Sequence, residues 1–515
     1  MVNILPNIVP SADITSIIPI IITLGLSLWT RNVVIGLFSG VVTAVIMLVG
    51  FNPLDVMTTL VKEHLVITLS DSYNAGVIVL LVFIGGFVTL MEKSGGGPAF
   101  AVSIVRKISS RGRAQLAAWC GGIFIFYSDL GTPLIVGPVF RPLFDKLKIS
   151  RQKLAFIVDS TSSPVAILVP FIGWGIYIIS LLQKEFDTAG QDISAWYSFI
   201  QAIPFQFYAI LAIFIVPALI YADFDFGPMA EAEKIAKRTT ELKKTDQNKD
   251  YMQAFSHNKA RASFVFMPLL MMATVLCAVL LPLGFPFEKV AGSTFRAALS
   301  SAYFFAAVTL MLMMAYYQVR TLSESINLYL QGMGNMMQVA VVLILAWTFS
   351  ALGKELGTAT YIAEQAQQGF PYWLLPAVAF MLSGIISFST GSSWGTFAIM
   401  FPLMIPTAFA IEASLVVSIA AVLSGGLFGD HCSPISETTI LSSTGSGCHQ
   451  FEHFRTQLPY ALTNGAIALC CFIFAGFSPY TYWVLVAFTS QIFVLYMIAK
   501  MKKTSCNRPD KIAPP

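Results

Sequence analysis

Long apolar runs alternate with short polar interruptions along this chain, and most runs reach the roughly 20 residues that a helix needs to cross a bilayer. They fall at about 14–30, 33–50, 75–91, 114–140, 154–182, 200–222, 263–283, 297–318, 333–352, 371–411, 413–444, 458–478 and 480–499. None shows the period-two alternation of a barrel strand. Four runs are broken internally by polar residues. The segment 114–140 is interrupted at Ser128-Asp129-Leu130-Gly131-Thr132-Pro133, and 154–182 at Asp159-Ser160-Thr161-Ser162-Ser163-Pro164. The segment 371–411 is interrupted from Ser387 to Thr396, around Thr390-Gly391-Ser392-Ser393, and 413–444 at Asp430-His431-Cys432-Ser433-Pro434. One polar stretch is long. Residues 223–262 hold eight Lys/Arg against seven Asp/Glu, read as a solvated and partly helical loop, and divide the chain into halves.

Composition agrees with the pattern. The 515 residues are 56% hydrophobic and 11% charged, with a mean hydropathy of +0.73. A soluble domain of this size carries far more charge, so the fold class is an all-α polytopic membrane protein. The net charge of +4 is too small to point to nucleic acid. The run that starts near Ile14 has no basic flank and no small-residue cleavage site, and reads as a retained span. The seven Cys include no CxxC pair, which predicts neither a disulfide framework nor a zinc site, and no cofactor is expected.

Charge placement sets the topology. Lys93, Arg106, Lys107, Arg111 and Arg113 precede segment 114–140, and Arg141, Lys146, Lys148, Arg151 and Lys153 follow it. The positive-inside rule puts both flanks in the cytoplasm, so this segment enters and returns as a re-entrant hairpin. Segment 371–411, flanked by Glu364 and Glu412, reads as a second hairpin entering from outside. This arrangement assigns 26 of the 31 Lys/Arg to cytoplasmic loops and leaves none within a span. It predicts about eleven transmembrane helices plus two re-entrant hairpins, with the N-terminus outside and the C-terminus cytoplasmic. The buried ionisable groups are then Asp129, Asp159, Asp430, Glu437 and His431. Each half runs span, hairpin, broken span, in opposite orientation. Residues 1–222 form the first repeat, 223–262 the cytoplasmic loop, 263–478 the second repeat, and 479–515 the last span and tail. Inverted repeats with interrupted helices are the architecture of secondary transporters, and broken backbone persists in a membrane only where protein or a watery cavity satisfies it. The four breaks are therefore expected to meet in one site. The hairpin tips and broken spans would move as a unit past a scaffold that includes 14–50 and 263–318.

The residues at the breaks suit a small hard cation. Carboxylate, hydroxyl and freed carbonyl oxygens are the ligands such ions take, and Asp430 and Asp159 are the expected Na⁺ carboxylates. Asp129 and Glu437 are further ion- or proton-binding candidates, with hydroxyls from Ser160, Thr161, Ser162, Ser163, Thr390, Ser392, Ser393, Ser433, Ser436, Thr438 and Thr439. Asp129 has an alternative reading as a half-helix cap, and the hydroxyls as groups bonded back to their own helices. A carboxylate in a low-dielectric cavity holds protons more tightly than one in water, so Na⁺ and H⁺ compete for the same oxygens. No Lys or Arg stands among these residues to clamp an anion, although helix N-termini can hold one. An organic-solute exchanger coupled to Na⁺ or H⁺ is the second reading. An intramembrane hydrolase built from Ser433 or Cys432 with His431 and Asp430 is the third, and neighbours on one strand rarely reach triad geometry.

The run Gly429-Asp430-His431-Cys432-Ser433-Pro434-Ile435-Ser436-Glu437-Thr438-Thr439 resembles the signature of the NhaC-type Na⁺/H⁺ antiporters, Gly-Asp-x-x-Ser-Pro-[Ile/Leu]-Ser-[Asp/Glu]-Thr-Thr. The stretches Leu134 to Pro142, Val158 to Thr161 and Pro164 to Phe171 are similar to the larger members of that family. The resemblance implies an elevator-type carrier in the cell inner (plasma) membrane, assembled as a homodimer and exporting Na⁺ in exchange for H⁺. It carries ion-binding roles to Asp159, Asp430, Ser433, Ser436, Glu437 and Thr438. The first hairpin tip, Tyr127 to Thr132, departs from the more acidic, aromatic tip of larger members. Relatives that exchange malate for lactate, or that are linked to drug efflux, keep the organic-solute alternative open.

Overall fold

The computed structural model of the protein describes residues 13–105, 108–238, 259–284, 292–367 and 369–506. Arg106, Lys107, Lys289, the middle of the polar loop (239–258) and the tail beyond 506 lie outside them. All regular structure among the described residues is helical. Eight helices are long and apolar enough to cross a membrane, and two bent pairs bring this to ten. Apolar side chains such as Trp29, Phe51, Leu270, Phe304 and Phe493 face outward, as a lipid-solvated surface requires.

The eleven crossings read from the pattern include Ile14–Thr30, which falls among the shorter apolar helices, and two interrupted spans counted as one crossing each. The first of these is two helices, Arg151–Asp159 and Gly173–Thr188, with residues 160–172 largely irregular between them. The second is Leu415–His431 and Glu437–Ser446. Conversely, the arms of the second hairpin, Leu375–Thr390 with the turn Tyr372–Leu374 before it and Ser393–Ala410, are each long and apolar enough to cross alone and count among the eight. The first hairpin is shorter. Its arms are Arg111–Phe124 and Gly131–Lys146, so it runs several residues past the segment its apolar run marks.

Local chemistry sets these ends. Ser110, Ser150, Ser392 and Ser414 accept hydrogen bonds from the first-turn amides of the helices they precede, which satisfies donors that no helix can satisfy internally. Gly50, with φ +87°, and Pro53 at the next helix start turn Val33–Val49 by 111° into Pro53–Ser70.

Outside the broken elements the spans pair in two sets. Ile18–Thr30 packs on Val33–Val49, which packs on Met337–Glu355. Ser263–Leu280 packs on Gly292–Tyr316, which packs on Ser72–Lys93. The broken elements cross over between halves. The second arm of the first hairpin packs on Glu437–Ser446, and the second arm of the second hairpin packs on Gly173–Thr188. The first of these contacts is backbone to backbone. A Cβ on Gly445 would lie 2.2 Å from the Pro133 carbonyl oxygen, and one on Gly137 would lie 2.6 Å from the Gly445 carbonyl carbon.

Two basic residues expected outside the spans are buried. Lys153 is 1% exposed, with Nζ 2.5 Å from Asp225 Oδ1, and Arg141 is 5% exposed beside Gly447. The helix Gly227–Arg238 explains the first. The segment leading into it supplies Asp225, and Glu233 on it accepts from Arg111 and from the Ser150 amide. The polar loop therefore begins as a docked element.

Candidate functional site

Two carboxylates stand at the ends of two interrupted helices. Asp430 is the penultimate residue of Leu415–His431, and Asp159 closes Arg151–Asp159. Helix C-termini carry the negative end of the macrodipole and unsatisfied carbonyls. Each carboxylate thus adds to a potential that favours cations.

Asp430 is 4% exposed and held by hydroxyls. Ser436 Oγ donates to its Oδ1 at 2.8 Å and Thr438 Oγ1 to its Oδ2 at 2.7 Å, with the two hydroxyl oxygens 3.0 Å apart. Asp159 is fully buried. Ser442 Oγ donates to Oδ1 at 3.1 Å and Gln457 Nε2 to Oδ2 at 2.6 Å, while His453 Nε2 lies 3.3 Å from Oδ2. The two centres share elements. Thr438 and Ser442 are four residues apart on Glu437–Ser446 and so share a face. His453 and Gln457 are four apart on Gln450–Phe477 in the same way. The Gln457 amide also donates to the His431 carbonyl at 3.3 Å, which ties the ends of both broken helices to one long helix. Asp159 and Asp430 lie within electrostatic reach of each other, and Asp129 lies within reach of Asp430 and Glu437.

The remaining candidates divide by what they touch. Ser433 Oγ donates to the Phe388 carbonyl at 2.8 Å and Ser393 Oγ to the Gly426 carbonyl at 3.1 Å, joining the second hairpin tip to the second broken span. Gly391, at φ +66°, lets that tip approach the Ile435 carbonyl, 2.8 Å from where a Cβ would stand. Thr161 and Thr390 bond back to the carbonyls of Ile157 and Ile386, and Ser392 caps its own helix. Ser162 Oγ donates to the Asp159 carbonyl. Ser160 is buried beside it, and the hydroxyls of Ser163 and Thr439 are buried without hydrogen-bond partners. Asp129 is half-buried at the first hairpin tip, and Glu437 is exposed, outside the hydrogen-bonded cluster. The His431 ring pairs with Tyr208 Oη at 3.0 Å rather than with Ser433 or Cys432, so no hydrolytic triad forms.

The buried set is larger than the apolar runs suggest. It gains His453, Gln457 and Ser442 around Asp159, and Glu185, 3% exposed. Glu92, at the end of Ser72–Lys93, accepts a hydrogen bond from Ser128. The four-residue spacing from Thr438 was the available signal for Ser442. His453 and Gln457 lie near the polar start of a long helix, where only the fold shows that they face inward. Beside them, residues 447–456, Arg151 and Gly227–Arg238 enclose a cavity of about 590 Å³ with Thr456 in its wall.

The chain matches the model of the Na⁺/H⁺ antiporter family over residues 1–185 and 165–477. It is 30% identical over 506 residues, 95% of each chain, to an uncharacterized protein of Haemophilus influenzae. Over 159 residues, 29% of this chain and 32% of the other, it is 28% identical to the malate-2H⁺/Na⁺-lactate antiporter of Bacillus subtilis. The fold is similar to that of the Alcanivorax borkumensis YdaH transporter, with a TM-score of 0.60 at 16% identity, over 82% of this chain and 89% of that one.

Proposed function

The chain belongs to the Na⁺/H⁺ antiporter family, and from that premise we propose that it exports Na⁺ in exchange for H⁺ at the Asp430–Asp159 cluster. The family and the fold are those of membrane transporters, not enzymes. The observation that carries the reading is the setting of Asp430. A carboxylate buried at a helix C-terminus and held only by the hydroxyls of Ser436 and Thr438 offers a cation four close oxygens. When Na⁺ enters, the hydroxyls turn their lone pairs to it. When a proton enters, the charge that held Na⁺ is gone. One carboxylate alternating between these states and between the two sides of the membrane is sufficient for exchange. Asp159, within reach of Asp430, supplies a second charge and permits an electrogenic ratio. Asp129 and Glu437 line the approach.

An inverted repeat and a moving body are part of this proposal. Their support is the matched order of hairpin and broken span in 1–222 and 263–478, and the reciprocal packing of each hairpin on the other half's broken span. The orientation, N-terminus outside and C-terminus cytoplasmic in the plasma membrane, is supported by the Lys/Arg distribution. In that frame the 590 Å³ cavity opens to the cytoplasm. Both hairpin tips meet the cytoplasmic ends of flanking spans, Ser128 at Glu92 and Gly395 at Val33, which fits a body displaced inward. Assembly as a homodimer follows from the family resemblance alone.

The test is Na⁺-driven pH change in proteoliposomes, wild type against Asp430→Asn. Dissipation of an imposed proton gradient by Na⁺ in the wild type, lost in the variant, is the expected result. Proton flux that appears only when malate or lactate is added would replace this reading with an organic-solute exchanger, as the name of the Bacillus subtilis relative would suggest.

A further inference from the structure

Asp430 and Asp159 both stand at the ends of interrupted helices, but what holds them differs in kind. The partners of Asp430 are two hydroxyls, Ser436 Oγ at 2.8 Å and Thr438 Oγ1 at 2.7 Å, six and eight residues further along the chain. A hydroxyl carries one O–H and two lone pairs, so it turns from donating to accepting by rotating one bond. The partners of Asp159 arrive from the other half of the chain. Ser442 Oγ, 283 residues on, donates to Oδ1 at 3.1 Å, and Gln457 Nε2, 298 residues on, donates to Oδ2 at 2.6 Å. His453 Nε2, fully buried, lies 3.3 Å from the same oxygen.

Those partners give a cation little to bind. Na⁺ takes oxygen ligands, as hard cations do, and an amide nitrogen has hydrogens to donate and no lone pair to offer. The Gln457 amide is also fixed in its orientation. Nε2 sits between two acceptors, Asp159 Oδ2 and the His431 carbonyl at 3.3 Å. Turning the amide over would set its oxygen against both. A lone pair on His453 Nε2 would likewise face the carboxylate, so that nitrogen is the one to carry the proton. Of these three side chains, only Ser442 can turn an oxygen to an ion. The same amide has a structural task. Two helix C-termini brought together set like ends of their dipoles side by side, and each ends in an acid. Gln457 donates to both ends at once and offsets that repulsion.

We propose that Asp159 is a positioning residue and not an ion ligand: with Gln457 and His453 it anchors the ends of both broken helices to Gln450–Phe477, and Na⁺ is carried at Asp430 alone. This rests on the exchange reading and chooses between the one-carboxylate and two-carboxylate forms that reading allows.

Thr438 and Ser442 make the discriminating pair, one turn apart on one helix, with one hydroxyl on each acid. The readout is the Na⁺ concentration for half-maximal proton flux in proteoliposomes. Thr438→Ala is expected to raise it about ten-fold or more, and Ser442→Ala to leave it within about two-fold. Ser442→Ala should instead lower the Tm of the full chain in detergent by about 2 °C or more. A shift in Ser442→Ala as large as that in Thr438→Ala would put Asp159 in the shell of the ion and overturn the proposal. The anchor is also read from thermal unfolding alone. The Tm losses of Asp159→Asn and Gln457→Leu should sum to more than the loss in the double variant, because either change breaks the same bond, and strictly additive losses overturn the proposal. A wild type without Na⁺-driven flux would remove the exchange reading and leave this unfolding comparison in force.

Discussion

Asp430 has two hydroxyl partners, and each can be removed separately. Hydrogen bonds to a charged group contribute roughly 1.5–3 kcal/mol. Ser436→Ala and Thr438→Ala should each raise the Na⁺ concentration for half-maximal proton flux by about ten-fold or more, and Thr438→Ser should stay near the wild type. Unchanged Na⁺ dependence in both alanine variants would show that the ion sits elsewhere. Lys153 makes a separate residue-scale case. With 2% of its side chain exposed and Asp225 at 2.5 Å, its charge is tolerated only because it is paired. Lys153→Met leaves Asp225 with Tyr460 Oη at 2.8 Å as a remaining partner, and should cost about 3 kcal/mol of stability, read as a lower midpoint in thermal unfolding. Combining it with Asp225→Asn should cost less than the two single changes added together, and strict additivity would mean that the pair is not coupled.

At the scale of elements, the short helix Glu437–Ser446 does the joining. Thr438 and Ser442 reach the two carboxylates from one face. Gly445 lets its end press on the first hairpin, backbone to backbone. Gly445→Val inserts a side chain where a Cβ already stands 2.2 Å from a carbonyl oxygen. It should destabilise the protein by about 3 kcal/mol or separate the hairpin from the helix, seen as loss of folded protein on size exclusion. Gly25→Ala, where nothing lies within 4 Å of the added carbon, should fold as the wild type does. Equal tolerance at both positions would mean that the hairpin contact is looser than its geometry.

For the whole molecule the question is whether the broken elements move against the outer spans. Thr188 ends the first broken span, and its hydroxyl lies 3.5 Å from that of Ser350 on Met337–Glu355, a helix packed on Val33–Val49. If the body slides during exchange, this pair separates. In a background without native cysteines, oxidising Thr188→Cys together with Ser350→Cys should reduce turnover at least about ten-fold, because a moving element is then held in one of its two positions. Reductant should restore it. A crosslinked protein that turns over normally would rule out sliding at this contact.

Much of the fold was legible in the chain because a bilayer imposes length and polarity on each span. Apolar runs marked the spans, and Ser, Gly and Pro interruptions marked where helices break, since such backbone survives in lipid only around a site. The motif from Gly429 to Thr439 located Asp430 with Ser436 and Thr438, because those partners lie within one local stretch and need little tertiary information. Asp159 was also legible, but its partners were not. Ser442, His453 and Gln457 are nearly three hundred residues away along the chain, and no local pattern distinguishes an inward-facing Gln from a lipid-edge one. Lys153 and Arg141 were placed in solvent because charge alone shows neither the Asp225 carboxylate that pairs with the first nor the Gly447 turn that packs on the second. Glu92 likewise reads as the polar end of a span. Only the fold brings its carboxylate to Ser128 at the first hairpin tip. The sequence thus determined which segments are apolar and helical, where they break and that Asp430 lies at one of the breaks, through short-range hydropathy and motif chemistry. The tertiary structure decided which distant donors hold each acid, because those contacts come from the folding of one half of the chain onto the other.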